Sequence, residues 1–226
     1  MLNSSEPVFV AGTGIISAIG NNVAHCLDAL ESGRAGMGQM HYLHSAHSNR
    51  LPVAEVKLSN EELAQLAGLP KIKSRTALLS LVAAKEALAN AGIENIKDLR
   101  MGFISATSVG GMDKTENFFT EFLSDNSKGK LRDVINHECG SVTELVADAL
   151  GIKDYITTIS TACSSSANAI FLGARLIRNK IVDLVVAGGT DCMTRFTLNG
   201  FNTLMIVDEQ FCQPFDENRR GLNLGE

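Results

Sequence analysis

The sequence predicts an α/β fold: a mixed, mostly parallel sheet of about five strands with helices on both faces. Three observations carry this reading. Strand-like and helix-like segments alternate along all 226 residues, with no linker, short repeat or low-complexity tract between them, the pattern of a single α/β domain. The segments Met101–Ala106, Tyr155–Ile159 and Val182–Ala187 are short apolar or β-branched runs, the composition of buried strands. One of them runs directly into a helix through Ser160-Thr161-Ala162-Cys163-Ser164-Ser165-Ser166, and the chain is organised around that stretch.

Taken in order, Val8-Phe9-Val10 reads as the first strand and leads into Gly12-Thr13-Gly14-Ile15-Ile16-Ser17. The two glycines resemble the start of a dinucleotide fingerprint. Ser17, however, stands where the third glycine belongs, and no strand ending in an acidic residue follows at the right distance, so the glycines are read as backbone turns. A helix follows from about Asn22, with Val23, Cys26, Leu27 and Leu30 on one face and Gly33 past its end; Cys26 is a packing residue. Residues 33–57 lose periodicity and carry His41, His44 and His47 at equal spacing. A polar surface loop is the expectation there, because no carboxylate or cysteine completes a recognisable metal-ligand set.

Ser59-x-x-Glu62 is a capping box opening a short helix that stops at Gly68-Leu69-Pro70. A long helix from about Ser74 places Leu78, Leu81, Ala84, Leu88 and Ala91 on one stripe, with Gly92 at its end. The strand Met101–Ala106 passes into Thr107–Gly111. Asp113-x-x-Glu116 then reads as the cap of a helix with Phe118, Phe119, Phe122 and Leu123 inward, and Ser141-x-x-Glu144 as a further capping box. After Cys163, Ala167, Ile170, Phe171, Ala174 and Ile177 recur at helical spacing while Ala169, Leu172 and Leu176 fill the other side. A helix apolar nearly all round is expected to be buried.

Cys163 thus falls where a strand turns into a helix N-terminus. Free backbone N–H groups and the positive dipole end favour a thiolate there, and the thiolate is the nucleophilic form of cysteine. Taken alone, Cys163 is equally well read as a small core hydrophobe.

Composition narrows the function. Hydrophobic residues at 45% and charged residues at 20% suffice for a core. A net charge of −5 argues against general nucleic-acid binding or an anionic membrane surface. No apolar run approaches the length of a membrane span, and the N-terminus has neither the basic nor the apolar region of a signal peptide. The five cysteines (26, 139, 163, 192 and 212) are odd in number and lack C-x-x-C spacing. They fit free thiols in a reducing cytoplasm better than a disulfide frame or a zinc site. Neither a cofactor nor a metal is expected.

Three stretches together resemble one family. Thr161-Ala162-Cys163-Ser164-Ser165-Ser166 is similar to the nucleophile motif of the β-ketoacyl-acyl-carrier-protein synthases, condensing enzymes of thiolase-like fold. Val186-Ala187-Gly188-Gly189-Thr190-Asp191 resembles the strand and turn that follow that motif. Pro214-Phe215-Asp216-x-x-Arg219-x-Gly221-x-x-x-Gly225-Glu226 is similar to a later signature, and Gly12–Gly14 and Gly110-Gly111 fall in matching places. The motifs keep the family order over essentially the whole chain.

The resemblance implies that Cys163 takes an acyl group from an acyl carrier protein. A malonyl thioester then loses carbon dioxide, and its carbanion attacks the acyl-cysteine. It also implies that Phe201 and Met112 line the acyl pocket, that Thr161 supports the nucleophile turn, and that Asp216, Arg219 and Glu226 are structural ion-pair positions. Ordinary packing is an equal reading of Phe201 and Met112. Asp191 stands where many relatives carry Glu. By the same resemblance, residues 1–226 are the N-terminal half of a thiolase-like fold, and two histidines and a lysine in a second half complete the site. The strand Tyr155–Ile159 is expected to pair with its copy in a homodimer. A non-catalytic subunit that binds carrier protein, and a thiolase-fold acyltransferase that does not decarboxylate, are the competing readings.

Overall fold

The computed structural model describes residues 7–69, 74–93 and 99–226. Its elements in order are α1 (Val23–Glu31), α2 (Asn60–Ala67), α3 (Arg75–Asn90), β1 (Met101–Ala106), α4 (Met112–Ser124), α5 (Cys139–Leu150), β2 (Tyr155–Ile159), α6 (Ser165–Arg178), β3 (Leu184–Gly189) and α7 (Arg195–Thr203). The strands form one sheet in the order β2-β1-β3, both ladders parallel, with Phe103 opposite Ile156 and Val186.

β1 is central and buried at every residue, and its alternation feeds two cores. Met101 and Phe103 face a core shared with Leu63, Leu78, Leu81, Val142 and Val146 from α2, α3 and α5. Ile104 and Ala106 face Ala169 and Leu176 of α6 on the opposite side. Helices therefore cover both faces, as expected. Each Leu, Ile, Val, Phe or Met side chain buried this way contributes about 1.5–3 kcal/mol. A third cluster, Met40, Leu51, Val53, Met193 and Leu198, joins the loop after α1 to α7.

Helix boundaries follow local chemistry. Asn22 caps α1 by accepting from the His25 amide; the Ser59–Glu62 capping box forms in full; Gly68 closes α2 in the left-handed conformation at φ 66°. Ser74 caps α3. Pro70, expected to stop α2, lies outside the described residues.

Several expectations are corrected. Three strands form among the described residues rather than about five, and none is antiparallel. Val8–Val10 pairs with no described strand, and Phe9 and Val10 are each 80% exposed. Its β-branched composition signals a surface suited to a sheet, not the presence of a neighbour to complete the ladder.

The chain instead follows α3. A Cβ on Gly12 would lie 2.4 Å from the Ala87 carbonyl oxygen, and one on Gly14 would lie 2.0 Å from that of Ala83. The Gly-x-Gly pair is thus a close backbone approach to a helix.

α6 buries only one stripe: Ser165, Ala169, Gly173 and Leu176. Ile170 and Phe171 stand 57% and 60% exposed, so α6 is not enclosed. Apolar composition on both sides shows that a helix can be buried, whereas burial itself needs a second layer. α4 buries no residue, and Phe119 and Leu123 are exposed. α5 starts at Cys139 with Glu138 as its cap, three residues before the expected cap Ser141.

Candidate active site

In a parallel sheet the chain leaves every strand at the same edge, and ligands bind outside the carboxyl ends. That edge here gathers Thr107–Gly111 after β1, Ser160–Cys163 after β2 and Thr190–Asp191 after β3. The Thr107 amide donates to the Ile159 carbonyl (3.1 Å) and the Thr190 amide to the Ala106 carbonyl (2.9 Å), tying the three exits together.

Between β2 and α6 the backbone makes a sharp elbow. Ala162 adopts φ 51°, and residues Ala162–Ser164 form a single 3₁₀ turn that enters α6 at Ser165. An L-residue in this region costs on the order of 1 kcal/mol or more and persists only where neighbours impose it.

The neighbours are polar. The buried Ser165 hydroxyl accepts from the Thr161 amide (2.8 Å) and donates to the Ala162 carbonyl (2.7 Å), bracketing the strained residue. Ser164 Oγ donates to the Thr161 carbonyl at 2.9 Å, and Asn168 Nδ2 to Thr161 Oγ1 at 2.9 Å. Thr161 does support the turn, as the resemblance implied. Asn168 was not singled out in the sequence, although its helical spacing from Ser164 and Thr161 could have disclosed it. The elbow presents Cys163 exposed to solvent. Among the described residues no side chain hydrogen-bonds its sulfur.

The other four cysteines are all unpaired and less available. Cys26 is buried. Cys192 is buried beside Thr76 Oγ1 at 3.2 Å, and burial followed by the Asp113 charge pushes its thiol up. Burial, then the charges of Asp191 and Glu138, likewise raises Cys139. Cys212 is half-buried.

Carboxylates build the walls of the edge. Asp191 accepts from the Thr107 hydroxyl and from the Ser108 and Val109 amides (2.9 and 3.1 Å), clamping the turn after β1 to the strand exit of β3. That turn also needs Gly111, where a Cβ would stand 1.9 Å from the Asn136 carbonyl oxygen. The expected cap pair at the start of α4 reaches outward instead. Asp113 accepts from the Arg75 amide at the start of α3 (2.9 Å), and Glu116 accepts from the Arg195 and Phe196 amides at the start of α7 (3.1 and 2.6 Å). Carboxylates stabilise free helix N-terminal amides wherever they come from.

The Glu226 side chain is fully buried and paired with Arg75, and it also accepts from the Val56 and Met193 amides. Burial works against the Arg75 charge, but the Glu226 hydrogen bonds and charge outweigh it and hold the guanidinium above its ordinary pKa. The expected ion-pair role therefore holds for Glu226. Among the described residues Asp216 and Arg219 form no side-chain ion pair; Arg219 donates to the Asp216 carbonyl and Asp216 Oδ1 accepts from the Asn218 amide. Glu55 was also missed: it is buried and accepts from the His41, Tyr42 and Leu43 amides.

Met112 opens α4 and packs against the main core, with the Thr194 hydroxyl 3.9 Å from its sulfur. Phe201 lies half-buried on α7. The topology places both on segments leaving the carboxyl edge, one after β1 and one after β3. α4 and α7 touch, whereas Cys163 stands on the β2 exit. His41 does not join His44 and His47 on the wall of the cavity between residues 44–47 and α7. Among the described residues no three His, Cys, Asp or Glu side chains come together as a metal site. No described helix is long and apolar enough to cross a membrane.

The fold thus sets an exposed cysteine on a strand-to-helix elbow at the carboxyl edge of a parallel α/β sheet. Comparison with known proteins gives the family: residues 5–226 match the N-terminal domain of beta-ketoacyl synthases, and the chain belongs to that family. Nodulation protein E of Rhizobium meliloti (strain 1021) is 25% identical over 226 residues, covering 97% of this chain and 55% of the relative. The 3-oxoacyl-acyl-carrier-protein synthase 2 of Coxiella burnetii (strain RSA 493 / Nine Mile phase I) is 25% identical over 236 residues, covering 97% and 55%. Among solved structures, the ketosynthase ApeO in complex with its chain length factor ApeC, from Xenorhabdus doucetiae, is 28% identical with a TM-score of 0.80, covering 96% of this chain and 55% of that one. These neighbours have the thiolase-like ketosynthase fold. The chain spans about half the length of the relatives it matches.

Proposed function

We propose that this chain supplies the acyl-accepting cysteine of a 3-oxoacyl-acyl-carrier-protein synthase acting in fatty-acid or polyketide-type synthesis. The exposed Cys163, on an elbow braced by Thr161, Ser165 and Asn168, carries this reading. Its thiolate adds to the thioester carbonyl of an acyl carrier protein, and the carrier thiolate leaves and takes a proton from solvent. The Cys163 amide, near the start of α6, can donate to the oxygen on which negative charge develops, as one half of an oxyanion hole. In the second step the bond to the carboxylate of a malonyl thioester breaks and carbon dioxide departs. The carbanion forms a carbon–carbon bond to the acyl group, expelling the Cys163 thiolate.

Met112 and Phe201 are the residues we assign to the acyl pocket. The decarboxylating step needs donors for the malonyl thioester, which we place in a C-terminal half of the enzyme. His137 is engaged with Thr115 Oγ1 at 3.0 Å, and no histidine hydrogen-bonds Cys163 among the described residues. The relatives' names support an acyl carrier partner, and the edge position of β2 supports a homodimer through Tyr155–Ile159.

The test is acyl transfer followed by mass spectrometry. Residues 1–226 incubated with acyl carrier protein thioester should gain one acyl group at Cys163, and Cys163→Ala none. Carbon dioxide release from malonyl carrier should stay at background, since losing even one oxyanion donor costs about 10²–10³ in rate. Acylation undiminished in Cys163→Ala would overturn the assignment.

A further inference from the structure

We propose that the histidine-bearing loop and α7 form a binding site for the phosphate group of a small phosphate monoester, separate from the acyl-transfer cysteine. A surface cavity of about 730 Å³ opens between residues 44–47 and α7, lined by His44, His47, Arg195, Asn199, Asn202 and Thr203 among others. The four α7 residues follow helical spacing, so they form one stripe facing the loop. Among the described residues, no carboxylate lines the cavity.

The hydrogen bonds show which groups remain to meet a ligand. Arg50 Nη2 lies 3.3 Å from His47 Nδ1 and donates to Asn202 Oδ1 at 3.3 Å. A guanidinium can only donate, so His47 Nδ1 must be the acceptor and its Nε2 carries the proton. The Asn202 oxygen is likewise occupied, leaving its NH₂ group to donate.

The wall is therefore rich in N–H donors, with Arg195 on it and Arg50 behind it. Each arginine is partly balanced, Arg195 by Glu116 at 3.4 Å and Arg50 by Glu209 at 3.6 Å. That balance suits one compact dianion rather than a polyanion. The same contacts disfavour a metal at His47, because its imidazole lone pair faces an arginine. Arginine and amide donors are the usual recognition chemistry of phosphate oxygens. The volume exceeds a bare phosphate and lies in the range of small-molecule sites, leaving room for an organic group.

The test is a ³¹P line-width titration of inorganic phosphate with the purified protein at fixed ionic strength, repeated with dimethyl phosphate as the diester. Saturable broadening by inorganic phosphate is expected. It should weaken about tenfold or more in Asn199→Asp, which places a like charge among the donors, and in the double variant His44→Ala/His47→Ala. Circular dichroism would verify that both variants keep the wild-type fold. Absence of saturable broadening, or broadening unchanged in folded Asn199→Asp, would overturn the site. Equal affinity for dimethyl phosphate would overturn the monoester assignment.

Discussion

Cys163 owes its availability to one neighbour. Ala162, at φ 51°, turns the chain so that the next residue faces solvent while Ser165 faces the core. The contrast with Cys139 and Cys192, whose thiols burial and nearby carboxylates push up, gives a direct check. Iodoacetamide at neutral pH should modify Cys163 first, as read by peptide mapping; faster labelling of Cys139 or Cys212 would contradict the site. A second residue-scale prediction concerns acid. The hydrogen bonds from Arg100 hold the Asp183 carboxyl at about 2, below its ordinary 3.8. Between those values the folded protein binds fewer protons than the unfolded chain. This contribution to stability is thus present above pH 3.8 and lost as pH falls toward 2. Urea unfolding from pH 5 to 2 should show a shallower loss in Asp183→Asn than in the wild type; identical slopes would show that the pair contributes nothing.

Elements are held by side chains that belong to other elements. The first two turns of α4 cap α3 through Asp113 and α7 through Glu116, so three helix starts lock together. The elbow depends on α6 in the same way, because Ser165 lends one hydroxyl to both sides of Ala162. Ser165→Ala removes both bonds, at a cost of about 0.5–1.5 kcal/mol each. The expected outcome is a lower denaturation midpoint and slower Cys163 acylation with the labelled residue unchanged. Wild-type acylation kinetics in a folded Ser165→Ala protein would show that the strained turn holds without it.

At the scale of the molecule, the sheet is flanked on both faces, yet it has two edge strands and an α6 whose outer face carries Ile170 and Phe171. Apolar exposure of this kind marks a contact surface. The outer edge of β2 also leaves a row of backbone donors and acceptors unpaired among the described residues, and such edges invite a partner strand. Sedimentation should show concentration-dependent dimerisation that Ile156→Lys weakens, since a lysine on an edge opposes pairing. A strict monomer at high concentration, or a dimer indifferent to Ile156→Lys, would exclude β2 as the interface.

Much of this organisation was legible in the residues themselves. Capping boxes, left-handed glycines and apolar stripes are local signals, because a helix end must satisfy its own amides within a few residues. The Ser59–Glu62 box and Gly68 therefore fall where the sequence puts them. The elbow at Cys163 and the order of the motifs were readable for the same reason. Tertiary structure decided whatever needed a second segment. Val8–Val10 has strand composition but no partner, α6 has core composition but one covering layer, and Asp113 and Glu116 cap helices far away in sequence. The Gly12–Gly14 pair marks a close approach to α3, and Glu226 meets Arg75 across 151 positions. Two of the three histidines acquired a common role only when α7 supplied the opposite wall. Composition sets what a surface can bury or bind, and the chain path determines what stands opposite it.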